Sequence, residues 1–247
     1  MLLPRFVSDL RRLGLRPGGI VLVHSSLSSL GQLPGGPETV IRALLEAIGP
    51  EGTLLLPALS YNLVTPDQPV FDLRKTGSNI GAIPEYFRRR AGTLRSIHPT
   101  HSVCASGPLA AALLGDHARD TTPLGPHSPF RKLRDLDGQI LMLGCGLGPN
   151  TSFHGIEELA PPPYLFGPEQ VFTLVDEKGH SRQQTYTTHG FDGMKQRYER
   201  AAQILPPESL QTGKVLQATA HLIEARALWT HALAVLKAEP LFFVDRV

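Results

Sequence analysis

Short apolar runs alternate with helical stripes through the first half of the chain. Gly19-Ile20-Val21-Leu22-Val23 reads as a buried strand that runs into the polar turn His24-Ser25-Ser26. Over residues 37–48, Val40, Ile41, Leu44, Leu45 and Ile48 share one helical stripe, with proline opening the first turn. Gly52-Thr53-Leu54-Leu55-Leu56 predicts a second strand, ended by Pro57. Residues 83–90 read as a helix with Pro84 in its first turn, residues 102–105 as a third strand and residues 108–114 as a short helix. Residues 139–143 form the cleanest strand, and Gly144-Cys145-Gly146-Leu147-Gly148 follows it.

The second half has a different pattern. Residues 170–176 and 182–188 flank Glu177-Lys178-Gly179, a hairpin signal. Helices are expected over 193–205 and 218–237, with a closing strand at 241–244. Strand–helix alternation interrupted by a hairpin predicts an α/β fold, a single layered α/β/α domain over residues 1–247 with a mixed central sheet. The 139–143 strand should be central and the hairpin peripheral. Pro161-Pro162-Pro163 makes a stiff corner rather than a domain boundary.

Composition narrows the function classes. The 247 residues are 41% apolar and 19% charged, with a formal net charge of +2 and both signs interspersed. Neither a basic stripe nor an aromatic ladder suggests a nucleic-acid partner. No apolar run reaches the ~18 residues of a membrane span, and the first fifteen residues lack a signal-peptide core. Cys104 and Cys145 have no disulfide-framework spacing, so a reducing, cytoplasmic setting is expected.

Candidate chemistry gathers in the weakly structured stretches, which hold His98, His101, His117 and His127. Histidine titrates near neutrality and suits proton transfer or metal binding. The sharpest local pattern is Asn150-Thr151-Ser152-Phe153-His154-Gly155-Ile156-Glu157-Glu158. Asn150 or Thr151 can cap a helix whose first turn carries His154, with Glu157 and Glu158 at spacings of three and four. A carboxylate on one ring nitrogen fixes the tautomer and frees the other nitrogen as a base; the competing reading is a structural histidine beside a solvated carboxylate pair. The Gly144–Gly148 run is GxGxG past the midpoint of the chain, a poor match to a dinucleotide fingerprint.

Several stretches together resemble the aminoglycoside 3-N-acetyltransferase family. They are His24-Ser25-Ser26-Leu27 with Leu30-Gly31, Phe71-Asp72 with Gly81-Ala82-Ile83-Pro84-Glu85, Arg95-Ser96-Ile97-His98-Pro99, Ser128-Pro129, and Thr151 with His154 and Glu157. They run in family order from about residue 19 to 160. The resemblance implies direct acetyl transfer from acetyl-CoA to an amine of an aminoglycoside or related small molecule, with no covalent enzyme intermediate. It makes His154 the base and Glu157 its carboxylate, with Glu158 the fallback. It implies that His24, Ser25, Ser26, Leu27, Ser102, Val103 and Ser128 form the coenzyme groove, and that Asp72 and Glu158 face the acceptor. No metal is expected, and the chain should be a monomer or homodimer.

The departure lies at Thr187-Thr188-His189-Gly190-Phe191-Asp192. Family members that modify aminoglycosides carry a supporting glutamate before the Phe-Asp pair. That glutamate is missing, which makes His189 and Asp192 the candidates to replace it. Two other readings stay open: a metal-dependent hydrolase drawing on His24, His98, His101, His154 or His189 with Asp72 or Glu157, and a CoA-binding protein that has lost catalysis.

Overall fold

The computed structural model describes residues 2–247. Helix α1 (Leu2–Arg12) leads into β1 (Ile20–Ser25), α2 (Gly36–Ile48) and β2 (Thr53–Pro57). Next come β3 (Val70–Asp72), α3 (Ala82–Arg89), β4 (Leu94–Arg95), β5 (Val103–Ser106), α4 (Ala110–Leu114), α5 (Pro129–Asp135), β6 (Gln139–Leu143) and α6 (Ser152–Glu157). The second half contributes β7 (Phe166–Val175), β8 (Ser181–His189), β9 (Met194–Gln196), β10 (Leu210–Val215), β11 (Ala218–Glu224), α7 (Ala225–Ala238) and β12 (Val244–Arg246).

Seven strands form the main sheet in the order β10-β11-β6-β1-β2-β5-β4. The β1 pairings with β2 and β6 are parallel and the remaining ones antiparallel, so the sheet is mixed. Its inner strands are apolar throughout because both faces are covered. Val21, Val23, Leu54, Leu56, Leu141 and Leu143 pack in one core with α1, α2 and α3. Ile20, Leu22, Leu55, Ile140 and Met142 pack in the other with α4, α5, α6 and α7. This alternation makes the α/β/α layering that the strand–helix pattern predicts. A second sheet, β3-β7-β8, holds the expected hairpin outside the main sheet, on a small core of Phe71, Phe172, Leu174 and Tyr186. No helix among the described residues is long and apolar enough to cross a membrane.

Three expectations need correcting. Residues 218–237 are not one helix: the first seven form β11, paired with β6, and only then does α7 begin. Ala218, Ala220 and Leu222 bury one face at a period of two, while Ile223 enters the opposite core. Pairing with β6 overrides the helix propensity of Ala and Leu. Residues 193–205 form short β9 and a 3-10 helix over Tyr198–Gln203 rather than one long helix, and the closing strand starts at Val244. Helix α1 and strand β10 have no counterpart in the sequence reading. Phe6, Val7 and Leu10 bury one stripe of α1 in the first core.

Candidate active site

The parallel strands β1 and β6 end at the same edge of the sheet, where α/β folds bind ligands. His24 and Ser25 stand at the end of β1. After β6 the chain turns through Gly144, whose φ of 75° is a left-handed conformation suited to glycine, and enters α6. Asn150 Oδ1 accepts from the Ser152 amide at 3.1 Å, whereas Thr151 makes no side-chain cap. Gly155 lets α6 seat against α7, since a Cβ there would lie 2.5 Å from the Trp229 ring. These constraints aim His154 into a cavity of about 710 Å³ that His24, Ser25, His98, His101, His189 and Tyr198 also line. A second, shallower recess adjoins it, lined by Ser26, Leu27 and Ser28 and by the helix starts at Gly36 and Gly81. Ser25 borders both spaces.

Hydrogen bonds fix the His154 tautomer. The Tyr198 hydroxyl donates to Glu157 Oε2 at 2.9 Å, and Tyr164 donates to Oε1 at 2.9 Å. A carboxylate only accepts, so Tyr198 spends its one proton there and receives the Nδ1–H of His154 at 3.2 Å. Glu157 Oε2 itself lies 3.6 Å from Nδ1. Nε2 is thereby the lone-pair nitrogen. Burial, reinforced by Glu157, pushes both phenols above their usual range, so each stays a proton donor at neutral pH.

A second histidine–glutamate pair stands alongside. His189 Nε2 donates to Glu158 Oε1 at 3.0 Å. Glu158 also accepts from the Leu124 amide at 2.7 Å, the Thr122 hydroxyl at 2.7 Å and Arg131 at 3.3 Å. The rings of His154 and His189 are 5.2 Å apart. Phe191 packs 5.3 Å from His154 and 5.5 Å from His189, held in the left-handed region at φ 56°. Burial keeps two further wall histidines neutral: His24 is pushed down to about 3, also by the field of His154, and His98 to about 4. His101 and His117 fall well below the usual value for the same reason. Burial lowers His189 too, while Glu158 pulls the other way.

The structure brings some of the expected residues together and leaves others out. His154, Glu157, His189, Glu158, His24 and Ser25 converge, and Ser26 and Leu27 border the recess. Ser102, Val103 and Ser128 border neither space. Ser102 Oγ donates to the Ala58 carbonyl, Val103 is core, and Ser128 caps α5 through the Phe130 amide. Asp72 turns away to accept from the Arg74 and Lys75 amides, both at 2.9 Å. Asp192 is exposed and lines neither space, and His189 bonds Glu158 rather than His154, so neither replaces a supporting glutamate at His154. Glu158 is spent on its four donors. Sequence reasoning missed Tyr164, Tyr198, Thr122 and Arg131; they lie in turns, loops or another helix, and no spacing signal links them to α6. Cys145 lines the cavity, but burial pushes its thiol up to about 11. Among the described residues, no three His, Cys, Asp or Glu side chains gather where they could hold a metal ion.

A family model for aminoglycoside 3-N-acetyltransferases matches residues 22–237. Aminoglycoside N(3)-acetyltransferase IV of a Salmonella species is 35% identical over 242 residues, 96% of this chain and 88% of that protein. Aminoglycoside N(3)-acetyltransferase VIII of Streptomyces fradiae is 32% identical in a match that covers 90% of this chain and 86% of that protein. Among solved structures, a His→Ala mutant of AAC(3)-IVa in complex with a gentamicin superposes with a TM-score of 0.84 at 33% identity, covering 97% of this chain and 90% of that one. AAC-IIIb in binary complex with CoASH gives a TM-score of 0.84 at 27% identity, covering 96% and 97%. With a fold and a sequence that agree along nearly its whole length, this chain belongs to the aminoglycoside 3-N-acetyltransferase family and is an acyltransferase.

Proposed function

We propose that this chain transfers acetyl from acetyl-CoA directly to a small-molecule amine, with His154 as the general base. The observation that carries the reading is the Glu157–Tyr198–His154 chain, which leaves Nε2 as a lone pair at a cavity wall. An amine is protonated at neutral pH and cannot attack until a base removes its proton. Glu157 lies behind Tyr198, where its charge favours the imidazolium formed in that step. Holding both reactants in one cavity makes the step effectively unimolecular.

The residues around the recess suit the coenzyme. Ser25 Oγ and His24 Nε2 are buried polar atoms without a protein partner, and Ser25 stands between recess and cavity. The helix starts at Gly36 and Gly81 have open space where a Cβ would point, and helix N-termini favour phosphate. When bound, the coenzyme supplies the activated acetyl thioester. Ser25, Ser26 and Leu27 would hold its arm, with the cavity left for the amine.

The test is thiol release from acetyl-CoA with a reactive amine. His154→Ala should lower turnover by about 10²–10⁴-fold while CoA still raises the melting temperature. Near-normal turnover in that variant would reject the base. The lack of any thermal shift at about millimolar CoA in the wild type would reject the coenzyme.

A further inference from the structure

The acceptor cavity carries no charge on its wall. Among the described residues that line it there is no Asp, Glu, Lys or Arg. Its surface is instead built with Tyr61, Phe172, Tyr186, Phe191, Leu59 and Val64. The two carboxylates nearest the catalytic histidine are shielded. The Glu157 side chain is 0% exposed with a phenol on each oxygen, and that of Glu158 is 3% exposed with four donors. On the wall, His24, His98 and His101 are held neutral by burial, so they offer lone pairs but no counter-charge.

We propose that the natural acceptor is a compact amine with an aromatic or alicyclic body and at most one positive charge, rather than a polycation such as the aminoglycosides bound by the relatives. The inference rests on the acyl-transfer reading and names the acceptor class for that site. Size does not decide the matter, because a cavity of about 710 Å³ is ample for a drug-sized ligand. Charge does. An ammonium taken out of water without a paired carboxylate is penalised heavily, and a polyamine repeats that penalty at every nitrogen it buries. A monoamine sheds its own charge: the ammonium passes one proton through His154 Nε2 to solvent, and the free amine nitrogen bonds to the acetyl carbon. As the carbon–sulfur bond breaks, the second nitrogen proton moves through the same Nε2 to the thiolate, which leaves as the coenzyme thiol. Its apolar body meets aromatic walls that stack on rings.

The experiment measures kcat/KM for 2-phenylethylamine, tryptamine, gentamicin, sisomicin and hydroxylamine with acetyl-CoA, by thiol release. The two arylalkylamines are expected to exceed the two aminoglycosides by at least tenfold. Equal or faster acetylation of gentamicin or sisomicin overturns the proposal and leaves acyl transfer standing. So does His154-dependent acetylation of hydroxylamine with no turnover of either arylalkylamine. If no amine is acetylated by protein that binds CoA, both readings fall. Gln170→Glu, which adds one carboxylate to the cavity wall, should move the preference toward gentamicin by about tenfold or more. An unchanged preference in a folded variant would overturn the argument from charge.

Discussion

Helix α6 serves two histidines with adjacent glutamates, and the two pairs are built differently. The His154 side chain is 15% exposed and reaches its carboxylate chiefly through the Tyr198 hydroxyl. His189 is 6% exposed and bonds its carboxylate directly, inside a net that also ties down Arg131, Thr122 and the Leu124 amide. Access and neighbours separate them. The first histidine leaves Nε2 free at the cavity wall, where the proposed reading places the base, while the second ties the end of β8 to Glu158. Residue identity alone therefore does not distinguish the proposed base from a clamp.

The widest gap between the pairs should be in turnover. His154→Gln is expected to lower kcat by about 10²–10⁴-fold, and His189→Gln by less than about tenfold, with its cost appearing mainly in KM. Equal losses in kcat would collapse the distinction. Acid is the next largest lever. His24, His98, His101, His117 and His189 all have folded-state pKa values below the unfolded one. Between those values the unfolded chain binds more protons, so stability is full above about pH 6.5 and falls as pH drops toward about 4 for His98 and about 3 for His24. For His24 and His98 the loss is on the order of 1.4 kcal/mol per pH unit across that window. Urea unfolding at pH 7.5 and pH 5 measures it, and equal stability at both would contradict the neutral cluster.

Glu158→Gln should cost about 1–3 kcal/mol of stability, because Arg131 and His189 lose a charged acceptor in a buried place. Glu157→Gln sharpens the comparison from the other side: turnover should fall further than stability does. The smallest effect is expected for Cys145→Ser. Its thiol is pushed up to about 11, far from a thiolate at neutral pH, so activity should stay within about twofold. A folded Cys145→Ser protein without activity would revive a thiol acyl intermediate.

The sequence was most legible where burial is two-sided or striped. Strands β1, β2 and β6 and helix α2 stand out because their apolar runs and stripes are cut by Gly and Pro. Strand β11 was hidden, since Ala218, Ala220 and Leu222 run without a breaker into the helix formers of α7, and only the β6 neighbour settles them as extended. The site divides the same way. His154 and Glu157 announce themselves at a helical spacing of three. Tyr164 is seven residues beyond Glu157 and Tyr198 forty-one, in a turn and a 3-10 helix whose paths are set by tertiary packing. The His189–Glu158 contact spans thirty-one residues, and nothing local encodes it.

The brevity of α6 has an evolutionary corollary. Successive residues on a helix point about 100° apart, so Glu157 and Glu158 reach different histidines only because the chain keeps count from His154. Point substitutions around either pair can accumulate one at a time. A single-codon insertion or deletion within α6 would instead rotate both carboxylates at once, uncoupling His154 and releasing the hairpin together. Variation in this lineage is therefore expected to arrive as exchanged letters and never as a changed length between residues 152 and 158.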